Sequence, residues 1–353
     1  MKILHVITSL RTGGAEKLMV DLLPRLKEKG LEVELLLFDG VNTPFRRLAE
    51  AKGLRVHELG RNRSVYSPIN FFRLLAYLRR YDIVHTHNTA PQLFAAIGSL
   101  FRRTRLFTTE HGGSNRRRSW KWYARIDRWM YSRYEKVVCI SDKGEQNLRA
   151  FIGDGDNICT INNGVDVKAF SSASASGEPE QMAPGSRKIV MVAGFRWEKD
   201  QSTVIKALSR LPENFHLFLA GDGVRREEFA SLASELGLSE RVHFLGVRSD
   251  IAELLKASDY VVMSSHFEGL SLSSVEGMSV GKPFLASDVD GLREVVKGYG
   301  ILFPHEDSAA LAAEIMKLEN SEERYKSVAE ACRHRADSFD IAQMVDAYSR
   351  IYN

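Results

Sequence analysis

An α/β fold made of two successive parallel-sheet, Rossmann-like halves is what this 353-residue chain predicts, on three observations. Short apolar, β-branched runs alternate with segments of helical periodicity along nearly the whole length. A small, polar, Pro/Gly-bearing stretch at residues 171–186 (SSASASGEPEQMAPGS) interrupts that alternation once, near the middle, and reads as an exposed connector. The same alternation then resumes, and strands alternating with helices imply parallel sheets. With 44% hydrophobic and 27% charged residues, the chain is long enough for two buried cores.

The first half begins with Ile3-Leu4-His5-Val6-Ile7, which is too short to span a bilayer and passes into Arg11, Glu16 and Lys17. It reads as a buried first strand, not a signal peptide. Thr12-Gly13-Gly14 is a turn, and residues 15–29 carry a helical pattern that Gly30 ends. Pro24 inside that pattern removes one N–H and is expected to bend the helix. Further strands are expected at 33–38, 55–59, 83–87, 106–109, 137–140 and 158–161, with helices between them such as 70–80 and 91–101. Beyond the connector, strands at 188–192, 216–220, 242–245, 260–263 and 283–286 alternate with helices at 202–211, 225–236, 250–257 and from Val275 onward. Three helical patterns, 308–319, 322–336 and 341–352, form the tail, and no fixed-period repeat points to a solenoid.

Charge is unevenly divided. Residues 1–163 hold 28 Lys+Arg against 16 Asp+Glu and residues 164–353 hold 21 against 29, so the net charge of +4 conceals a basic first half. Its clusters, Arg61/Arg63, Arg79/Arg80, Arg102/Arg103/Arg105 and Arg116-Arg117-Arg118, mix with Trp120, Trp122, Tyr123, Trp129 and Tyr131. Basic and interfacial aromatic residues together suggest an anionic membrane surface or a phosphorylated acceptor, beside the plainer reading of a solvated basic face. No helix-turn-helix, zinc-finger or RNA-binding signature accompanies the charge, which argues against nucleic acid as a partner. Three cysteines, Cys139, Cys159 and Cys332, are an odd number without metal-ligand spacing and fit a reducing cytoplasm.

Chemistry concentrates in residues 264–294, SSHFEGLSLSSVEGMSVGKPFLASDVDGLRE. This is strand, loop and helix, with Glu268 and Glu276 eight positions apart around small residues. Gly269, Ser271, Ser273 and Ser274 let a ligand approach the backbone, and the N–H groups that open the helix seat phosphate oxygens. Carboxylates repel phosphate, so hydroxyl-bearing groups on either side of it, a sugar and a ribose, are the fitting partners of Glu268 and Glu276.

The Glu268–Glu276 pair, with Gly281-Lys282-Pro283 behind it and Gly291-Leu292-Arg293-Glu294 closing it, resembles the signature of retaining glycosyltransferases of family 4. Other landmarks recur in order: Gly13-Gly14-Ala15-Glu16, Asp82-Ile83-Val84-His85, His111-Gly112, Asn163-Gly164-Val165-Asp166, Lys199-Asp200 and Gly221-Asp222-Gly223. The resemblance spans essentially the whole chain. It implies the GT-B fold, two Rossmann-like domains with parallel sheets facing a central cleft. Residues 1–166 would be the N-terminal acceptor domain, 167–335 the donor domain for the nucleotide sugar, and 336–353 a helix crossing back to the first. Domain closure about residues 163–165 and the approach to the last helix goes with it.

By the same resemblance, Glu276 binds ribose hydroxyls, since a carboxylate accepts two hydrogen bonds at once, and Glu268 contacts the transferred sugar. Gly269, Leu270, Ser271, Leu272 and Ser273 line the donor. Lys199 carries over as a cation for the departing diphosphate. The family's arginine stands five residues before that lysine, where this chain has Gly194, so Arg196 is a displaced substitute. His111 reaches the sugar or a phosphate as a hydrogen-bond donor. His85 and His87 share a strand, one supporting the sheet and the other bordering the acceptor. Gly13 and Gly14 let the first loop approach the diphosphate, and backbone near Gly246 and Arg248 meets the base. Asp288-Val289-Asp290 matches the D-x-D of metal-dependent transferases of another fold but lies in the loop feeding Gly291, and no metal or other cofactor is expected. The implied activity is transfer of a hexose from a nucleotide sugar, UDP-linked, to a saccharide or lipid-linked acceptor in surface polysaccharide, lipopolysaccharide or glycolipid synthesis. The implied location is the cytoplasm, peripheral on the inner face of the cell membrane.

Three alternatives stand beside this reading. Thr12-Gly13-Gly14 after a strand, with Asp39 at the end of the next, suggests a dinucleotide oxidoreductase, but G-x-G-x-x-G is absent and Glu268, Glu276 and Lys199 would go unexplained. A GT-B sugar-nucleotide epimerase would release a free 2-epimer without acceptor. A non-catalytic sugar-nucleotide-binding subunit would bind donor without hydrolysing or transferring it.

Overall fold

The computed structural model describes residues 1–11, 13–60, 64–111, 123–175, 185–269 and 271–353. Expectations resting on Thr12, Arg61, Arg63, Gly112, Arg116, Arg117, Arg118, Trp120, Trp122, Leu270 and most of the connector lie outside these residues. The chain divides into two units, Met1–Asn163 with Ala342–Asn353, and Gly164–Ile341.

In the first unit, strands β1 (Lys2–Ile7), β2 (Glu32–Leu37), β3 (Val56–Glu58), β4 (Ile83–His87), β5 (Arg105–Glu110), β6 (Lys136–Cys139) and β7 (Ile158–Thr160) form one sheet in the order β3-β2-β1-β4-β5-β6-β7. Every pairing in it is parallel. Helices α1 (Gly14–Glu28), α2 (Pro44–Ala51), α3 (Pro68–Leu78), α4 (Thr89–Gly98), α5 (Tyr123–Ser132) and α6 (Asp142–Ile152) make the crossovers that parallel strands require. α1 runs as one helix through a buried Pro24 and stops before Gly30, whose φ of 86° suits glycine. α2 starts where Thr43 accepts from Arg46 N–H and Pro44 occupies the first turn. The core includes Leu4, Val6, Leu36, Val84, Leu106 and Val137.

In the second unit α7 (Val167–Ser171) precedes β8 (Arg187–Val192), α8 (Gln201–Leu208), β9 (Phe215–Ala220), α9 (Arg226–Glu235), β10 (Val242–Gly246), α10 (Ile251–Lys256), β11 (Tyr260–Met263), α11 (Leu272–Ser279), β12 (Phe284–Ser287), α12 (Asp290–Val296), β13 (Ile301–Phe303), α13 (Ser308–Glu319) and α14 (Glu322–Asp337). Its sheet has the order β10-β9-β8-β11-β12-β13, again parallel throughout. The final helix, α15 (Ile341–Tyr352), packs with the first unit from Ala342 onward.

Each sheet reverses its strand order once, between β1 and β4 and between β8 and β11. Loops that leave the carboxyl ends of strands flanking such a switch point diverge and leave room for a ligand. Residues 8–14 and 88–89 leave one switch point, and residues 193–200 and 264–271 leave the other.

Candidate functional site

The loops after β8 and β11 are tied together by backbone. Lys199 and Ser265 form an isolated antiparallel bridge, Asp200 N–H donates to Ser264 O at 3.0 Å, and His266 N–H donates to Glu198 O at 2.9 Å. The buried Asp200 caps α8 through Thr203 N–H at 3.1 Å and accepts from Ser264 Oγ at 2.9 Å. Burial alone would push its carboxyl up, but hydrogen bonds from Ser202, Thr203 and Ser264 outweigh that and hold it below the usual range. Lys199 is thereby fixed beside the 264–271 loop. Its Nζ donates to Glu268 Oε1, and Ser265 Oγ donates to the same oxygen at 3.0 Å. Ser287 Oγ holds Ser265 from below, accepting from its N–H at 2.9 Å and donating to its carbonyl at 3.0 Å.

Gly291 explains part of the closing motif. A Cβ there would lie 2.5 Å from Glu268 O and closer still to Gly269 O, so only glycine lets the 268–269 backbone rest on α12. At Gly269 itself a Cβ would meet nothing within 4 Å, which leaves that face of the loop open.

α11 starts at Leu272, three residues earlier than the sequence pattern placed it, because Leu272-Ser273-Ser274 carries little apolar periodicity and tertiary packing supplies the helix. Gly277 lets the helix sit flush on the sheet, since a Cβ there would come 2.7 Å from Phe284 and 2.8 Å from Val261. Ser271 takes an extended backbone and gives α11 no side-chain cap, leaving the helix opening available to an anion. Glu276 lies one turn beyond Leu272 and is buried, and nearby Ser274 Oγ is buried with no partner among the described residues. A depression of about 650 Å³ lined by Lys256, Gly281, Tyr325 and Arg333 lies at the other end of α11.

The remaining expected residues of this unit divide. Arg196 is exposed and makes no ion pair among the described residues, whereas Arg248 is held by Asp250 through a bidentate pair with an Nε–Oδ1 distance of 2.7 Å. Gly246 has φ 66° with open space beside it. Asp288 and Asp290 both accept from Arg293, at 2.6 and 3.0 Å. Among the described residues one set of side chains could hold a metal, His266, His305 and Glu306, whose ligand atoms lie within 4.8 Å of one another. His266 Nδ1 lies 2.9 Å from His305 Nε2, and the Trp197 ring covers His266 at 5.6 Å.

In the first unit, Gly14 begins α1 with nothing where a Cβ would be, and a Cβ at Gly13 would meet only the flexible Glu16 carboxylate. Neither glycine is demanded by packing. His111 follows β5, partly buried, with Nε2 2.9 Å from His87 Nδ1. His85 and His87 do not divide their roles as expected. Residues two apart on a strand share a face, and both imidazoles are fully buried and stacked with centroids 4.8 Å apart, neither bordering an exposed surface. His5, paired in register with His85, joins the stack at 4.9 Å. Burial lowers His5 to about 3 and His111 to about 4, and holds His85 and His87 well below the ordinary range. Cys139, Cys159 and Cys332 form no disulfide among the described residues. No described helix is long and apolar enough to cross a membrane.

Two family models match, one to each part of the chain: Glycosyltransferase Family 4 over residues 12–169 and Glycosyl transferases group 1 over residues 177–335. Together with the fold, they define the chain as a glycosyltransferase of GT-B architecture. It is similar to the putative glycosyltransferase EpsD of Bacillus subtilis (strain 168), 28% identical over 291 residues covering 77% of this chain and 76% of that one. It is 25% identical to the UDP-Gal:alpha-D-GlcNAc-diphosphoundecaprenol alpha-1,3-galactosyltransferase of Escherichia coli, over 81% of this chain and 78% of that one. Among solved structures, HepE of Anabaena in complex with UDP superposes with a TM-score of 0.86 at 22% identity, covering 100% of this chain and 99% of that one.

Proposed function

We propose that the protein is a retaining hexosyltransferase that moves a sugar from a UDP-linked donor to a saccharide or lipid-linked acceptor in surface polysaccharide or glycolipid synthesis. The observation that carries this reading is the Lys199–Glu268 pair beside the uncapped opening of α11, with Glu276 one turn inside that helix. In this reading the diphosphate lies on the opening of α11 and is neutralised by Lys199 and Arg196. Glu276 accepts from the ribose hydroxyls and Glu268 from those of the sugar. His111 donates to the sugar or its phosphate. The bond from the anomeric carbon to the phosphate oxygen breaks as the acceptor oxygen bonds to the same face. The acceptor's proton passes to the departing phosphate, so the configuration is retained without a protein nucleophile. Cations from Lys199 and Arg196 do the work of a metal, and Arg293 already occupies Asp288 and Asp290.

The complexes of HepE with UDP and with UDP-glucose support a UDP-linked donor. The diphosphoundecaprenol named for the Escherichia coli relative supports a lipid-linked acceptor. Peripheral contact with an anionic membrane draws support from exposed Tyr66, Phe72 and Phe101 in the same unit as Arg79, Arg102 and Arg103.

The test is transfer from a panel of nucleotide sugars to polyprenyl-diphosphate-linked saccharides, with the anomeric configuration of the product read by NMR. One UDP-sugar giving an α-linked product is expected. An inverted product, a free 2-epimer formed without acceptor, or donor binding without hydrolysis or transfer contradicts the reading.

A further inference from the structure

The first unit contains a single file of buried hydrogen bonds that ends at His111. His111 Nε2 is 2.9 Å from His87 Nδ1, His87 Nε2 is 3.0 Å from His5 Nδ1, and His5 Nε2 is 3.1 Å from the Tyr352 hydroxyl. That hydroxyl is 2.8 Å from His85 Nδ1, His85 Nε2 is 2.7 Å from Thr109 Oγ1, and Thr109 Oγ1 is 3.0 Å from the Tyr348 hydroxyl. His5, His85, His87, Tyr348 and Tyr352 are 0% exposed.

A neutral imidazole has one N–H and one bare nitrogen, and a hydroxyl has one hydrogen. Each link therefore needs one donor facing one acceptor. A hydroxyl oxygen also accepts two hydrogens at once, so four arrangements satisfy every link, and they differ in which group keeps the one spare donor: Tyr348, Thr109, Tyr352 or His111. Burial keeps all four imidazoles neutral at pH 7, so no additional proton relieves a mismatched link.

Three of the four leave a spare hydroxyl hydrogen on Tyr348, Thr109 or Tyr352, all buried, with no further acceptor among the described residues. In the fourth, Tyr348 donates to Thr109, every histidine carries Nδ1–H, and the spare donor is the N–H at His111 Nδ1. That atom is buried and has no partner among the described residues, and it belongs to the residue that follows the carboxyl end of β5. This fourth arrangement satisfies every hydroxyl donor in the core and leaves the spare N–H on His111, the one member of the file that is only partly buried.

We propose that Tyr348, Thr109, His85, Tyr352, His5 and His87 form a polarised hydrogen-bond file that holds His111 as its neutral Nδ1–H tautomer, a fixed donor to an oxygen of the bound nucleotide sugar. This rests on the reading of His111 as a donor-substrate contact. The six are positioning residues, and two of them, Tyr348 and Tyr352, come from α15. The file gives that helix a role in the site beyond packing.

The test is long-range proton–nitrogen correlation NMR on the full chain with 15N-labelled histidine at pH 7, which reports each imidazole's tautomer. His5, His85, His87 and His111 are expected to be neutral with hydrogen on Nδ1. Hydrogen on Nε2 of any of the four, or a charged ring among them, overturns the proposal. Tyr352→Phe cuts the file, so His5, His87 and His111 should acquire Nε2–H populations, and kcat/KM for the donor should fall about tenfold. Tyr348→Phe removes only the terminal donor, and should shift His111 in the same direction should Tyr352→Phe fail to fold. Unchanged tautomers in both folded variants overturn the file. Shifted tautomers with donor kcat and KM unchanged overturn His111's contact with the substrate.

Discussion

Lys199 and Glu268 pair Nζ to Oε1 beside the switch point of the second sheet, although 69 residues separate them in the chain. The pair depends on Asp200, Ser264, Ser265 and Ser287 beneath it, which lock the two loops before any ligand arrives. Preorganised cations of this kind are worth roughly 2.7–4 kcal/mol where charge develops. Lys199→Ala should therefore lower kcat by about 10²–10³-fold. Since Glu268 shares the interaction, combining Lys199→Ala with Glu268→Gln should cost less than the sum of the two, read in a double-mutant cycle. Strict additivity in kcat would separate the two residues functionally.

Gly291→Ala places a methyl against the Glu268 and Gly269 carbonyls. The backbone must move, at about 1–3 kcal/mol of stability, and UDP affinity should fall in a variant that remains folded. Calorimetric melting together with UDP titration checks both. An unshifted melting temperature would mean that the loop does not rest on α12.

The buried histidines set a pH dependence. Their folded values lie below the ordinary 6.5, with His5 near 3 and His111 near 4. The unfolded chain binds their protons first, so this contribution to stability is fully present above pH 6.5 and is lost as pH falls from there toward 4. Each histidine contributes about 1.4 kcal/mol per pH unit in that window. Urea unfolding at pH 7.5 and pH 5.5 should show a marked loss at the lower pH, smaller in His5→Asn. A flat profile would mean that these rings are charged or exposed.

Arg196 and Arg248 should behave oppositely. Arg196 is exposed and makes no ion pair among the described residues, so Arg196→Ala should weaken UDP binding tenfold or more, about 1.5–3 kcal/mol for a charged hydrogen bond. Arg248 is occupied by Asp250, and Arg248→Ala should change UDP affinity by no more than about 0.5 kcal/mol. Isothermal titration of both variants decides, and a large loss in Arg248→Ala alone would reverse the assignment.

Much of the fold was readable because parallel buried strands print as short β-branched runs. Tyr260-Val261-Val262-Met263 and Ile83–His87 are strands with the expected bounds, and 308–319 is a helix with the expected bounds. The start of α11 was not readable, since Leu272-Ser273-Ser274 is helical through packing against the sheet. β13 (Ile301–Phe303) is only three residues long and left no distinct signal. Glu268 and Glu276 stood out by type and spacing, and Lys199 through the family resemblance. The convergence of Lys199 and Glu268 with Ser265, Asp200 and Ser287 did not stand out, because it depends on hydrogen bonds between loops far apart in the chain. The histidine file was barely visible: the sequence put His85 and His87 on one strand but divided their roles, His5 joins them only through the β1–β4 register, and Tyr348 and Tyr352 only through the docking of α15.

The most direct measurement is titration of UDP into the wild-type protein and into Glu276→Gln and Lys199→Ala, each first shown to be folded by its melting transition. Saturable binding by the wild type and at least a tenfold loss, about 1.4 kcal/mol, in each variant are expected. Wild-type affinity retained in Glu276→Gln and Lys199→Ala would contradict the placement of the nucleotide on α11.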